Sequence, residues 1–152
     1  MNTYVHTMQE SKIVLDTNCL IASLSKRGKY YTVWKGLQEG KYILCVSNEI
    51  LDEYQEIIER KTNAYIAENV IQFLINCKFV EYHEPSFRFC LIEQDPDDNK
   101  FVDCAISSNA SFIVSNDRHF NILKDINFPH VNVIHLSDFL SFLQVDRHSS
   151  EK

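Results

Sequence analysis

The sequence predicts an α/β protein three layers deep, α/β/α, with helices on both faces of a central, mainly parallel sheet of four to five strands. Three observations carry that expectation. Short apolar runs alternate with longer stretches whose apolar residues recur at helical spacing, the signature of repeated strand–helix units. The first run, Ile13-Val14-Leu15, is continuous rather than alternating, as expected of a central parallel strand covered on both faces. A length of 152 residues suits one domain that buries roughly two thirds of its surface without staples.

Met1–Ser11 has no periodicity and reads as a flexible N-terminal arm; residues 12–144 form the expected domain and 145–152 a polar tail. The first strand ends at Asp16, and Cys19, Leu20 and Ile21 begin a helical turn broken by SKRGK at Ser25–Lys29. Tyr31–Leu37 places Val33, Trp34 and Leu37 on one helical face and stops at Gly40. Tyr42–Val46 is the second strand. Ser47 is a natural N-cap for NEILDEYQEIIERK, whose stripe is Ile50, Leu51, Tyr54, Ile57 and Ile58. Ala64–Cys77 follows as the other half of a helical hairpin, with Ile66, Val70, Phe73 and Leu74 inward. Phe79–Tyr82 is a third strand, and Phe87–Ile92 reads as either an edge strand or a packed loop. Pro96 suits the entry turn of a helix whose inward face takes in Phe101, Val102, Ala105 and Asp98. On that wheel Asp103 falls about 140° from Asp98, toward solvent. Phe112–Ser115 is the next strand, His130–Leu136 the last, and Ser137–Leu143 the closing helix.

Composition narrows the function classes. Hydrophobic residues at 45% and charged residues at 24% exclude a disordered chain. A net charge of −6 excludes nucleic-acid binding by bulk positive charge, so any polyanionic substrate needs cations supplied locally. Five cysteines without a C-x-x-C pair form neither a disulfide framework nor a zinc site. No apolar stretch approaches the roughly 18 residues needed to span a bilayer. Met1–Ser11 is too polar for a signal peptide. The expected compartment is the cytoplasm, with no membrane partner.

In a doubly wound sheet the first strand and FIVS deliver Asp16 and Asp117 to the same edge, where ligands bind in such folds. Two helices begin near that edge and offer Asp98 and Glu53. The plainer reading makes Asp16 and Asp117 helix caps and Glu53 a solvated helix acid. Four converging carboxylates without basic partners repel one another, and a bound cation relieves the repulsion. With oxygen donors only, and no His or Cys at ligand spacing, that ion is hard: Mg²⁺, or Mn²⁺ in its place. Such a site suits phosphodiester hydrolysis by metal-activated water. Lys26, Arg27 and Lys29, followed by Tyr30, Tyr31 and Trp34, are placed to hold phosphates and stack bases, unless they form an ordinary solvated turn. Arg118 and His119 follow Asp117 closely enough to touch substrate.

Two other readings fail on residues. An aspartyl-phosphate phosphotransferase needs a second Asp where Asn18 stands, and a calcium loop starting at Asp95 needs Gly at Lys100 and an acid at Ile106. A non-catalytic binding module would be marked by loss of one or more acids, and all four are present.

The ordered segments LDTNCLI, SNEILDEY, DPDDNKFVDCA and IVSND resemble the four motifs of the PIN-domain nucleases, most closely the VapC-like bacterial toxin branch, over about Lys12–Leu140. The resemblance implies that Asp16, Glu53, Asp98 and Asp117 are catalytic and bind one or two Mg²⁺ or Mn²⁺ ions, with Asn18 and Ser115 as small polar supports. It implies endoribonucleolytic cleavage leaving 5′-phosphate and 3′-hydroxyl ends, a small antitoxin partner, and a homodimer. An RNA-processing nuclease outside the toxin branch, or an inert PIN-like module, is the alternative. DPDDNKFVD also offers Asp95, Asp97 and Asp103; helical phase favours Asp98 as the inner ligand, with Asp97 the better substitute and Asp103 an outer contributor.

Overall fold

The computed structural model describes residues 11–150, with side chains described through Val145; the expected arm, apart from Ser11, and the last two residues of the expected tail lie outside the described residues. The elements run β1 (Lys12–Leu15), α1 (Thr17–Ser23), α2 (Tyr31–Gln38), β2 (Ile43–Val46), α3 (Asn48–Lys61), α4 (Ala64–Asn76) and β3 (Val80–Tyr82). A 3-10 turn at Pro96–Asp98 leads into α5 (Asn99–Ser108), then β4 (Phe112–Val114), a 3-10 segment at Arg118–Asp125, β5 (Val133–Ile134) and α6 (Leu136–Ser150).

The five strands lie in the order β3-β2-β1-β4-β5, and every pairing is parallel. The chain adds β2 and β3 on one side of β1, then returns to build β4 and β5 on the other. The β1/β4 boundary is therefore the point where winding reverses, the position at which open α/β sheets leave a crevice beyond their strand ends. β1 is the central strand, with Ile13, Val14 and Leu15 all 0% exposed, so both of its faces are covered. Its neighbours behave alike: Leu44, Cys45, Ile113 and Val114 are fully buried. Helix α5 packs on β1, β2 and β4, while α2 packs against α1 and α6. The result is the expected three-layer α/β/α arrangement.

Local chemistry sets the boundaries. Ser47 Oγ accepts the Ile50 N–H at 3.3 Å to cap α3, and Asn63 Oδ1 accepts the Ile66 N–H at 2.8 Å to cap α4. Helix α2 ends in a Schellman motif: the Gly40 N–H bonds Leu37 O at 3.2 Å and the Lys41 N–H bonds Gly36 O at 2.8 Å, with Gly40 at φ +74°. Tyr54, from the buried stripe of α3, donates its hydroxyl to Leu15 O at 2.6 Å and so fastens that helix to the end of β1.

Several expectations change. Of the two readings of Phe87–Ile92 the loop holds and only Ile92 is buried, while Phe87 is 63% exposed: the Asn99 side chain accepts the Ile92 N–H at 2.8 Å and donates to Ile92 O at 2.9 Å, taking the place of a strand neighbour. The last strand shrinks to Val133–Ile134, and the closing helix runs on to Ser150. The buried stripe of α4 is Ala67, Val70, Ile71 and Leu74, about one residue out of phase with expectation, and Ile66 is left 38% exposed. Hydrophobicity alone nominated Ile66. The small Ala67 fills the inward position.

Substituting Gly40 should be costly. A Cβ there would lie 2.5 Å from the Phe79 ring, on a backbone conformation that L-residues avoid. Gly40→Ala should destabilise by at least about 1–2 kcal/mol from the backbone alone. That corresponds to a melting temperature lowered by roughly 2–8 °C in a chain of this size. An unchanged thermal unfolding curve would contradict the assignment of this turn.

Candidate functional site

The site is assembled first by backbone pairing. The Asp16 N–H donates to Val114 O at 3.0 Å, which sets the ends of β1 and β4 side by side. Ser115, the residue that follows β4, donates its hydroxyl to Asp16 Oδ2 at 2.7 Å and accepts the Asp117 N–H on the same oxygen at 3.0 Å. One buried hydroxyl thus ties the Asp16 carboxylate to the backbone of Asp117, the two residues expected at the strand ends. Asp16 stands at the N-cap position of α1, yet its side chain makes no capping hydrogen bond, so capping does not account for it. Asp117 does cap: it accepts the His119 N–H at 2.9 Å and starts the 3-10 segment.

Glu53 arrives on α3 beside Tyr54. It accepts a hydrogen bond from the Thr17 hydroxyl and pairs with Lys100 Nζ at 2.7 Å. Asp98 ends the 3-10 turn, where Asp95 accepts the Asp97 N–H at 3.2 Å, and its side chain is carried inward to 12% exposure. Its Oδ2 is buried and has no hydrogen-bond partner among the described residues; the same holds for His119 Nδ1.

These environments separate the carboxylates electrostatically. Burial is the main cause that raises Asp16 above the ordinary carboxylate range, opposed by hydrogen bonds from Ser115 and the Thr17 backbone and reinforced by the charges of Asp117 and Glu53. Burial also dominates at Asp98, where Asp95, Asp16 and Asp117 add repulsion and His119 gives only partial relief, so the carboxyl is pushed up to about 7. Asp16, Asp98 and Asp117 therefore sense one another, and Glu53 reaches the group through Asp16. The expectation of a cluster without basic partners is corrected by Lys100 and His119, both of which face it. Lys100 carried a signal in its position two residues after Asp98; Thr17, the other partner of Glu53, carried none.

The remaining expected residues divide. Asn18 is exposed, accepts from Lys61 Nζ at 2.9 Å, and lines a crevice of about 320 Å³ with Asp16, Tyr30, Asn116 and Asp117. Lys26, Arg27 and Lys29 are exposed on the loop above, and Lys29 Nζ lies 5.4 Å from the Tyr30 ring centroid. Arg118 and His119 line a neighbouring groove, also of about 320 Å³. Asp97 points outward, 84% exposed, toward Lys100. Asp103 is corrected outright. Instead of facing solvent it is 3% exposed and accepts the Phe89 N–H at 3.1 Å. The wheel failed because α5 is covered on opposite sides: Phe101 through Ala105 are all buried, five residues in succession.

Among the described residues, two sets of three donors are compact enough to share one cation: Asp95, Asp98 and His119 at the crevice, and Cys45, Glu81 and His83 on β2–β3. In the second set Glu81 is already paired with Lys12 at 3.1 Å and with His83 at 2.9 Å. The first contains the two unpartnered buried atoms, so the donors at the crevice suit a divalent cation. It also corrects the expectation that no histidine stands at ligand spacing.

A model of the PIN domain family matches residues 12–119. A search of curated proteins returns no match. Among solved structures, the chain is similar to VapBC2 from Rickettsia felis bound to a DNA fragment from their promoter, with 18% identity, a TM-score of 0.56, and coverage of 82% of this chain and 98% of that one. It is likewise similar to DNA-bound VapBC from Salmonella typhimurium, with 16% identity, a TM-score of 0.57, and coverage of 83% and 98%. At these identities the likeness establishes the fold. Among the described residues no helix is long and apolar enough to cross a membrane.

Asp98 makes the metal-free protein sensitive to pH. Folded, it holds its proton up to about pH 7, whereas the unfolded chain releases it near pH 4. Between those values the folded state binds more protons, so stability falls as pH rises through this window. Asp16 and Asp103, also raised, act in the same direction. Glu49 and Glu81, lowered by pairing with Arg88 and His83, act oppositely but only below their ordinary value of 4.5. Urea unfolding in EDTA from pH 4.5 to 7.5 should show a shallower decline for Asp98→Asn than for the wild type; parallel curves would refute the assignment.

Proposed function

Given that the chain belongs to the PIN domain family of nucleases, we propose that it is a divalent-metal-dependent endoribonuclease and the toxin half of a toxin–antitoxin pair. The observation that carries the reading is Asp98: a largely buried carboxylate, its side chain 12% exposed, raised first by burial and then by three neighbouring acids, with one oxygen unpartnered among the described residues. A carboxylate so placed is satisfied by a cation. Asp16, Glu53, Asp98 and Asp117 hold one or two Mg²⁺ ions, for which Mn²⁺ substitutes. When bound, the metal lowers the pKa of the attacking water and offsets charge developing on the phosphate, so no protein nucleophile is required.

The other residues position this set. Ser115 orients Asp16 through its hydroxyl and Asp117 through that residue's backbone. Lys100 and Thr17 hold Glu53 at the edge of the crevice until a cation competes for it. Asn18 and Lys61 form a polar rim beside Asp16. Lys26, Arg27, Lys29 and Arg118 grip RNA phosphates around the crevice, which is how an acidic protein holds a polyanion. Cleavage leaves 5′-phosphate and 3′-hydroxyl ends. Likeness to VapBC structures supports a small antitoxin partner, and the protein acts in the cytoplasm as a homodimer.

Labelled RNA incubated with purified protein in Mg²⁺, in Mn²⁺ and in EDTA tests the reading. Cleavage should require a divalent ion, and Asp16→Asn should reduce it at least about 100-fold, the upper end of what losing a supporting metal-site residue costs. The same variant should be as stable as the wild type without metal, or slightly more so, because a repelled buried charge is gone. Mn²⁺ at about 100 times its Kd should stabilise the wild type by roughly 2.7 kcal/mol. In melting temperature that is about 5–10 °C. Wild-type cleavage by Asp16→Asn, or cleavage undiminished in EDTA, would overturn the proposal.

A further inference from the structure

His119 stands outside the acidic set, yet its ring is lodged in it. Nδ1 lies 3.4 Å from Asp117 Oδ1, 3.7 Å from Asp98 Oδ2 and 3.8 Å from Asp95 Oδ2. No hydrogen bond forms across any of these gaps, and both Nδ1 and Asp98 Oδ2 are buried atoms left without a hydrogen-bond partner among the described residues. Two donors on one ion at about 2.1 Å stand roughly 3.0–3.4 Å apart. The separation from Asp117 falls at the end of that range, and those from Asp98 and Asp95 exceed it by a few tenths of an ångström, which a small turn of the side chains closes. The segment that carries the ring is held in place: the His119 backbone N–H donates to Asp117 Oδ1 at 2.9 Å, and the 3-10 segment that follows buries Phe120.

We propose that His119 Nδ1 is a metal ligand, completing with Asp95 and Asp98 a mixed nitrogen–oxygen cation position, and that this position selects Mn²⁺ and later first-row ions over Mg²⁺; the inference rests on the metal-dependent reading above. The chemistry favours that choice. Mg²⁺ prefers oxygen donors and parts with its water reluctantly, whereas imidazole adds affinity along the series from Mn²⁺ onward. The neutral imidazole with its proton on Nε2 presents the Nδ1 lone pair to the gap. Asp95 keeps one oxygen for the Asp97 N–H and turns the other toward His119, so the turn that caps itself also supplies a donor. Asp98 is common to this position and to the one shared with Asp16 and Asp117. The competing account makes His119 an imidazolium that balances three carboxylates, and it puts no nitrogen on the metal.

Pulsed EPR on the full chain loaded with one equivalent of Mn²⁺ reads the difference, because nitrogen-14 couples to the ion only when imidazole is bound to it. The coupling should be present in the wild type and absent in His119→Ala and His119→Gln. Calorimetric titrations of the same three proteins should show the preference for Mn²⁺ over Mg²⁺ falling by at least about tenfold in both variants, within the range known for altered metal surroundings. Circular dichroism and melting curves confirm that the variants fold, and the glutamine variant keeps a polar group in place should alanine fail. Mn²⁺ bound to the wild type without nitrogen coupling, or an unchanged Mn²⁺/Mg²⁺ ratio in the variants, would overturn the role of His119 and leave the metal-dependent nuclease standing. No Mn²⁺ binding by the wild type would remove both.

Discussion

Two strand ends locked side by side govern this molecule. The hydrogen bond from the Asp16 backbone to Val114, extended by the Ser115 hydroxyl to the Asp16 carboxylate, brings together residues 99 positions apart in the chain. Once β1 and β4 pair in register, Asp16 and Asp117 are delivered to one crevice by the backbone, whatever their charges prefer. The core makes this tolerable. Full burial of Ile13, Val14 and Leu15 contributes about 1.5–3 kcal/mol for each side chain.

Within that frame, partners determine what each acid does. Asp16 is as buried as Asp98, but hydrogen bonds from Ser115 and the Thr17 backbone oppose the effect of its burial. Glu53 has a hydroxyl and the nearer side of an ammonium that it shares with Asp97. Asp98 has repulsion from three sides and an oxygen with no donor. The unmet electrostatic demand of the crevice is thus concentrated on one residue rather than spread over four. His119 stands opposite it.

Much of this was legible along the chain, and the failures share a cause. Strands β1, β2 and β4 were readable because parallel strands covered on both faces leave unbroken apolar runs, and Ser47 and Gly40 marked helix ends by local chemistry. Asp103 and Ile66 were misplaced because a helical wheel ranks directions within one helix and carries no information about which directions the rest of the protein covers. Helix α5 is covered on opposite sides, so a carboxylate half a turn from Asp98 is still buried, and there it satisfies the Phe89 N–H. Lys100 was visible as a neighbour of Asp98, but its bond to Glu53 spans 47 positions.

By itself the sequence determined the layers and the central strand and singled out Asp16, Glu53, Asp98 and Asp117 as candidates, because these follow from periodicity and from residue types at strand and helix ends. Only the tertiary structure decided which of those acids lack partners, that Asp95 and His119 join Asp98, and that Asp97 and Asp103 do not. The physical reason is range. Secondary structure follows from contacts a few residues apart, whereas the charge state and coordinating capacity of a buried carboxylate depend on whatever the fold brings within about 4–6 Å of it.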